Sequence, residues 1–393
     1  MSFHPPKRTL MGPGPSDVNP RISLALSRPT IGHLDPQFIT LMDEIKALLQ
    51  YAFQTNNELT LPISAPGSAG MEACFVNLIE SGESVIICQN GVFGSRMKEN
   101  VTRLGARPIM IEDNWGKAID LNKVADAIKQ NPGAKALAFV HAETSTGVQS
   151  NAKALCQLAS DAGMLSIVDT VTGLGGIEVS VEDWQADAVY SGTQKCLSCT
   201  PGLSPITFSK KAQNIISSRK SPVQSWFLDM NLVMGYWGEG AQRSYHHTAP
   251  VNALYGLHEA LTILKEEGLE NSWNRHQQNH IALKAGIEAM GLTLIVDEGD
   301  RLPQLNAVSI PNGVDEAQVR KNLLNNYQLE IGAGLGQLAG KIWRVGLMGF
   351  SSNPVNVRLC VNALESELIK QGVKIDSGAG IEATNNAYLK MNT

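Results

Sequence analysis

Between residues 85 and 208, short apolar runs alternate with amphipathic segments. Six of these runs are rich in apolar and β-branched residues, which predicts strands buried on both faces. The predicted strands span residues 85–88, 108–111, 136–140, 165–168, 188–190 and 205–208. Helices are predicted over residues 96–104, 121–130 and 152–162. This alternation favours an α/β fold whose mostly parallel sheet is flanked by helices and joined by right-handed crossovers.

The pattern changes after Pro250. Long helical patterns cover residues 252–267 and 272–290, and Gly291 is a common signal for the end of a helix. Strands are predicted at 305–310, near 329 and at 342–345, with helices near 316–325 and at 355–370. We therefore expect an N-terminal arm over residues 1–20, a large domain over 21–260 and a smaller α+β domain over 261–393. The polar residues from about 378 onward are expected to be loosely held.

The composition is that of a globular enzyme, with 43% apolar and 18% charged residues. The net charge is −5 and no long basic run is present, which argues against nucleic acid as a partner. No apolar run approaches the roughly 20 residues that cross a bilayer. No apolar segment follows Lys7 and Arg8, as it would in a secretory signal. We therefore expect a cytoplasmic protein without a membrane partner.

Six cysteines are scattered along the chain and do not form the spacing of a disulfide framework. Cys196 and Cys199 form a CxxC pair. A structural zinc site would need two further ligands, and no second CxxC or paired histidine motif supplies them. Incidental thiols are therefore the favoured interpretation, and no metal is expected.

A lysine follows the strand predicted at 188–190, in the segment Tyr190-Ser191-Gly192-Thr193-Gln194-Lys195. Lysine is the residue that forms Schiff bases with carbonyl cofactors. On its own, Lys195 would more commonly be a solvated loop residue. The residues predicted beside it in the sheet make the Schiff-base role the favoured interpretation.

The strand predicted at 165–168 is followed by a carboxylate, Asp169. In open α/β sheets the ligand crevice lies beyond the carboxyl ends of the strands, so Asp169 should project into it. An enzyme that uses pyridoxal 5′-phosphate (PLP) needs an anion against the pyridine nitrogen. A helix cap or a loop salt bridge is the ordinary alternative. The small residues that follow Asp169 indicate a turn and weaken that alternative.

Small residues at 64–70 precede a helical pattern at 71–79. Backbone N–H groups at such a helix start, with the positive end of the helix dipole, suit a phosphate. A dinucleotide fingerprint is disfavoured, because Gly334-Leu335-Gly336 lies late in the chain and lacks the third spaced glycine.

Over almost its whole length the chain resembles the class V aminotransferases, in particular the alanine–glyoxylate and serine–glyoxylate or serine–pyruvate enzymes. The matching stretches lie at 12–15, 42–45, 53–55, 143–147, 168–169, 191–195, 245–248 and 343–346. The resemblance implies a PLP-dependent transferase of fold type I, with a large domain and a smaller C-terminal one. It also implies a homodimer with active sites at the subunit interface, and an N-terminal arm over residues 1–20 that contributes to the active site and the dimer.

The resemblance assigns Lys195 as the Schiff-base lysine and Asp169 as the pyridinium partner, both catalytic. Phe93 stands where mammalian alanine–glyoxylate enzymes have a stacking Trp, and any aromatic face can stack. Arg344, with Gly14, is assigned to the substrate carboxylate. The remaining cofactor contacts that it implies are Gly67, Ser68, Ala69 and Gln194 at the phosphate, Thr144 and Val171 at the ring, and Tyr245 and Thr248 at the phosphate of the neighbouring subunit.

These roles are chemically consistent. An arginine fork holds a carboxylate bidentately, and Lys195, once displaced by the amino acid, is the natural general base. We expect ping-pong transfer of an amino group from L-alanine, or from L-serine, to glyoxylate. The products are glycine and pyruvate, or hydroxypyruvate for serine. Residues 28–33 resemble the serine–glyoxylate branch.

Several alternatives stay open. Serine–pyruvate or aspartate–glyoxylate transfer and pyridoxamine as donor keep the reaction type. A class V lyase such as a cysteine desulfurase would usually carry a histidine before the lysine, where Gln194 stands, and a cysteine in a late loop, whereas Cys360 lies in a helical pattern. A non-catalytic scaffold is disfavoured because Lys195, Asp169 and Arg344 are all present.

Overall fold

The computed structural model describes residues 2–238 and 243–391. The strands in this part of the chain are numbered from the N-terminus. They are β1 (Thr9–Leu10), β2 (Leu59–Ile63), β3 (Ser84–Gln89), β4 (Arg107–Glu112), β5 (Ala136–Val140), β6 (Ala142–Glu143), β7 (Val148–Gln149), β8 (Leu165–Asp169), β9 (Ala188–Tyr190), β10 (Ser204–Phe208), β11 (Leu305–Ser309), β12 (Leu329–Glu330), β13 (Gly332–Ala333) and β14 (Ile342–Gly346).

The helices are numbered in the same way. They are α1 (Pro20–Leu26), α2 (Pro36–Phe53), α3 (Gly67–Leu78), α4 (Val92–Arg103), α5 (Leu121–Gln130), α6 (Ala152–Asp161), α7 (Val181–Trp184), α8 (Lys210–Ser217), α9 (Met230–Trp237), α10 (Val251–Glu267), α11 (Leu269–Ala289), α12 (Glu316–Tyr327), α13 (Pro354–Lys370) and α14 (Ala379–Met391). Within the two described ranges, none of the helices has the length and apolar character needed to cross a membrane.

A seven-stranded sheet in the order β2-β10-β9-β8-β5-β3-β4 forms the centre of the fold. The five strands from β9 to β4 are parallel, while β10 runs antiparallel to β9 and β2. All six strands predicted between residues 85 and 208 are present, so the predicted α/β class is confirmed. Sequence analysis did not predict β2, an edge strand that contains Pro62, because proline is typical of edges and loops alike.

A second hydrophobic core lies around a three-stranded antiparallel sheet, β11-β14-β13, covered by helices α11, α12 and α13. The helices α10 and α11 occur where the long helical patterns after Pro250 predicted them. Helix α10 packs on the first core through Leu261 and Leu264. The domain boundary between residues 260 and 261 remains a prediction.

The prediction of a loosely held C-terminal segment was wrong. Helix α14 packs against α11, where Gly286 leaves room for Thr384. The phenol of Tyr388 donates to the Asn279 side chain at 2.6 Å, and the carboxylate of Glu365 accepts from the amide of Gly380 at 2.8 Å. Small residues at the contact bring the two helices together, and polar composition alone does not reveal such packing.

The N-terminal segment crosses both cores. Strand β1 pairs in parallel with β12, and Met11 is buried in the second core. The amide of Gly346 donates to the carbonyl of Met11 at 2.7 Å. This path carries residues 13–16 past the carboxyl ends of β8 and β9, where the predicted site residues collect.

Candidate active site

Lys195 lies in a turn that follows β9, at the carboxyl edge of the parallel strands. The hydroxyl of Thr193 donates to the carbonyl of Thr200 at 2.7 Å and holds the turn. Burial lowers the pKa of Lys195 to about 8, and the positive charge of Arg344 adds to this effect. A larger fraction of this amine is therefore uncharged near neutral pH than of a surface lysine.

The N-terminal segment packs directly on this lysine. The ε-amino group of Lys195 donates to the carbonyl of Pro13. The amide of Ser16 donates to the carbonyl of Gln194 at 2.9 Å, and the hydroxyl of Ser16 donates to the backbone carbonyl of Lys195 at 2.7 Å. Gly14 has a φ of +105°, and a Cβ there would stand 2.6 Å from the Lys195 nitrogen. Only glycine fits here without displacing the lysine.

Asp169 ends strand β8 and is buried beside the cavity. Its Oδ1 accepts from the amide of Val171 at 2.8 Å, and its Oδ2 accepts from the phenol of Tyr190 at 2.8 Å. Burial raises the pKa of Asp169 to about 7, although both hydrogen bonds oppose the rise. A buried carboxyl of this kind gains from a cationic partner, because the partner stabilises its charged form.

These groups open onto one cavity of about 230 Å³. Its wall also contains Pro66, Met71, Arg96 and Tyr190. The predicted site residues that line it are Gly67, Ser68, Phe93, Asp169, Val171, Gln194 and Lys195.

Helix α3 begins at the cavity wall. Its N-cap residue, Pro66, has no side chain that could bond the helix start. The amides of Gly67 and Ser68 make no hydrogen bond within the described residues, whereas the amide of Ala69 donates to the carbonyl of Pro66 at 2.7 Å. Two free N–H groups at the positive end of a helix therefore face the cavity and suit an anion. The predicted phosphate contact at Ala69 has its amide turned back into the helix.

Phe93 is held by a buried carboxylate that sequence analysis did not single out. Glu143 accepts from the amide of Phe93 at 3.3 Å and from the hydroxyl of Ser145 at 2.6 Å. Burial raises the pKa of Glu143, and these hydrogen bonds oppose the rise. Glu143 thus fixes the start of α4 relative to the β6 segment.

Arg344 lies in β14 and is buried. Its Nε donates to the carbonyl of Ala333 at 2.8 Å, and its Nη1 donates to the carbonyl of Thr144 at 3.1 Å. Its Nη2 makes no hydrogen bond within the described residues. Burial lowers the pKa of Arg344 to about 10. The side chain of Thr144 bonds Thr172, so it is the backbone of Thr144 that touches the arginine.

Tyr245 and Thr248 do not line this cavity. They lie together on another surface, with their hydroxyls 3.4 Å apart, and Tyr245 is 62% exposed. The following histidine, His247, is 2.7 Å from the hydroxyl of Ser64 through its Nε2. Within one chain, neither Tyr245 nor Thr248 is among the residues that line the cofactor cavity.

The chain matches the family described as Aminotransferase class-V over residues 23–347. The crystal structure of ureidoglycine–glyoxylate aminotransferase from Bacillus subtilis superposes with a TM-score of 0.97 at 38% identity, covering 99% of this chain and 100% of that one. The crystal structure of an alanine–glyoxylate aminotransferase from Nostoc sp. superposes with a TM-score of 0.91 at 44% identity, covering 94% of this chain and 97% of that one. The alanine–glyoxylate aminotransferase of Drosophila melanogaster is 38% identical over 94% of this chain and 95% of its own.

The chain belongs to the class V aminotransferases. This confirms the predicted family and, with it, PLP as the cofactor. The cavity fits that group. The side-chain oxygen of Gln194 is buried without a partner, and a side-chain amide can turn its nitrogen toward a phosphate oxygen. The amides of Gly67 and Ser68 are free, and a Cβ at Gly67 would stand 3.3 Å from Val171. Larger residues at Gly67 would therefore fill the cradle.

Proposed function

We propose that this aminotransferase moves the amino group of a small, uncharged L-amino acid, with alanine the preferred donor, to glyoxylate. The observation that carries the proposal is the position of Arg344. Its guanidinium is held rigidly by two backbone carbonyls, keeps Nη2 free, and is close enough to Lys195 to lower the pKa of that amine. One fixed fork beside one amine suits a substrate with a single carboxylate next to its amino group.

The N-terminal segment favours a small side chain. Pro13 accepts from the Lys195 ammonium, and Gly14 leaves no room for even a methyl group beside the lysine nitrogen. A donor must therefore react in a space bounded by this segment on one side and by the cavity wall on the other. Glyoxylate is the smallest 2-oxo acid, and glycine is its own product, so among the productive donors alanine has the smallest side chain.

Each residue then has a defined task. PLP, when bound, supplies a carbonyl group and a ring that accepts electrons from the substrate. Arg344 orients the carboxylate. Lys195 Nζ takes the proton from the substrate α-carbon and later returns it. Asp169 stays ionised against the cationic ring nitrogen and keeps the proton there. The same residues work in reverse on glyoxylate, which gives ping-pong kinetics.

A second donor, (S)-ureidoglycine, is favoured by one observation. The (S)-ureidoglycine–glyoxylate transaminase of Bacillus subtilis is 37% identical over 98% of this chain and 96% of its own length. Both reactions use glyoxylate as acceptor, so the two candidates differ only in the donor. The lyase alternative has less support, because Cys360 is buried within α13 in the second core.

The test is to load the purified protein with PLP and measure glycine formed from glyoxylate with L-alanine, L-serine, (S)-ureidoglycine and L-aspartate in turn. The largest kcat/KM with alanine supports the proposal. A clear preference for (S)-ureidoglycine would replace it with the second candidate. Sulfide released from L-cysteine without glycine would indicate a lyase. Lys195→Ala, with its fold checked by circular dichroism, is the inactive control.

We also propose that the active form is a homodimer. In one chain the Tyr245 hydroxyl lies on an exposed surface, away from the cavity that holds Lys195. An exposed tyrosine beside a hydroxyl would be well placed to reach an anion bound by a second copy of the chain. Light scattering of the PLP-loaded protein checks the stoichiometry.

A further inference from the structure

Arg96 lies on α4, one helical turn after Phe93. Its guanidinium carbon lies 4.6 Å from the centre of the Phe93 ring. The residue lines the same cavity as Ser68 and Lys195, and it also lines a neighbouring cavity of about 480 Å³. Its guanidinium makes no hydrogen bond or ion pair within the described residues. Arg103, on the same helix, instead pairs with Glu99 at 2.7 Å.

The phosphate of a bound cofactor would bring negative charge into the cavity, and the residues expected around it carry no positive charge to neutralise it. The residues expected at its phosphate offer only neutral N–H and O–H groups; they are Gly67, Ser68, Ala69 and Gln194, with Tyr245 and Thr248 of a second copy. A phosphate monoester carries close to two negative charges at neutral pH. Among the described residues that line the cavity, Arg96 is the only cation apart from Lys195. Burial is the main cause of the lowered pKa of Lys195, but the charges of Arg344 and Arg96 contribute as well, so the field of Arg96 reaches into the cavity.

We propose that Arg96 is the residue that neutralises the cofactor phosphate, with Phe93 serving as the surface on which its guanidinium is held. The aromatic face restrains the guanidinium plane at the side of the cavity where α3 begins. A planar, unpaired guanidinium suits a phosphate, which it can bind through two parallel hydrogen bonds. Arg96 is thus a cofactor-binding residue for the phosphate group, whichever amino donor the enzyme uses.

The proposal rests on the phosphate lying at Gly67 and Ser68. The competing role for Arg96 is to brace the Phe93 ring and so support stacking on the pyridine. The two roles differ in which part of the cofactor they recognise. A phosphate-binding role distinguishes PLP from pyridoxal, which has the same ring but no phosphate, whereas a bracing role does not.

The test uses apoprotein and measures equilibrium dissociation constants for PLP, pyridoxal and inorganic phosphate, without turnover. Arg96→Met keeps the length of the side chain and removes the charge. Arg103→Met is the matched control, because it removes an arginine of the same helix that lines only the neighbouring cavity. Ser68→Pro, which removes one of the two free amides, checks the phosphate position independently.

We expect Arg96→Met to weaken PLP binding about tenfold or more, and to change pyridoxal binding by less than about twofold. Inorganic phosphate should bind the wild type more tightly than the variant, and the difference should shrink as salt is added. Arg103→Met should leave all three constants unchanged. Equal weakening of PLP and pyridoxal, or no change in either, would overturn the proposal. If Ser68→Pro left PLP binding unchanged, the phosphate placement itself would be wrong.

Discussion

The phenol of Tyr190 donates a 2.8 Å hydrogen bond to Oδ2 of Asp169, and the two residues are paired in register on the neighbouring parallel strands β8 and β9. Burial raises the pKa of Asp169, and this bond opposes the rise, so that the pKa reaches about 7 with the bond in place. Tyr190 therefore keeps Asp169 closer to its ionised form. The arrangement supplies an anion at a place where the surroundings alone would favour a neutral acid.

Replacing Tyr190 with Phe should raise the pKa of Asp169 further. PLP binding needs the ionised carboxylate, so affinity falls as the pH drops through that pKa, and in the variant the fall should begin at a higher pH. A titration of PLP affinity from about pH 5 to 9 checks this. Tyr327→Phe, which removes a phenol that bonds Ser366 beside the second core, is the control. An unshifted profile would mean that Tyr190 has only a packing role.

Asp169→Asn should stabilise the apoprotein at alkaline pH while abolishing transamination. The folded pKa of about 7 lies above the unfolded value of 3.8, so the native state holds the proton more tightly. The protonated Asp169 carboxyl therefore stabilises the folded state fully below pH 3.8, and this stabilisation is lost as the pH rises to about 7. Denaturant unfolding at pH 8 should give a gain of about 1–3 kcal/mol for Asn. A stability difference that does not vary with pH would contradict this account.

Gly14→Ala should lower activity strongly without unfolding the protein. The new methyl would lie 2.6 Å from Nζ and 2.8 Å from Cδ of Lys195, at a φ of +105°. Because the lysine would have to move, we expect a loss of kcat of about a hundredfold. Gly32→Ala is the matched control, since no atom lies within 4 Å of a Cβ there. A kcat near that of the wild type in Gly14→Ala would show that the N-terminal segment can move away from Lys195.

Much of this arrangement could be predicted from the sequence, and the misses share a cause. Helix α5 was predicted with its observed bounds, because its apolar spacing is local information. Lys195 and Asp169 could be placed together because the carboxyl ends of parallel strands share one edge. The role of Tyr190 depends on strand register, and that of Arg96 on the direction of a helix. Neither relation is encoded in a short motif.

Arg344→Lys should be almost as damaging as Arg344→Gln. The arginine bonds Ala333 and Thr144 through two of its nitrogens and keeps the third for substrate, a geometry that an ammonium cannot reproduce. We expect kcat/KM for both alanine and glyoxylate to fall about a hundredfold in each variant. Arg358 lies on α13 and bonds Asn385 of α14, so Arg358→Lys should leave both kcat/KM values unchanged. Recovery of activity in Arg344→Lys would show that charge alone is sufficient.

Mixed dimers should reveal whether Tyr245 and Thr248 act across the subunit interface. Lys195→Ala and the double variant Tyr245→Ala, Thr248→Ala are each expected to be nearly inactive at limiting PLP. If the pair serves the neighbouring subunit, a refolded equal mixture contains roughly half mixed dimers, each with one complete site, and recovers about a quarter of wild-type activity. No recovery above the parents would contradict action in trans. Mixing Lys195→Ala with Arg344→Gln is the control, because Arg344 bonds the backbone of Thr144 and acts on Lys195 within one chain, so that every site then lacks one of the two residues.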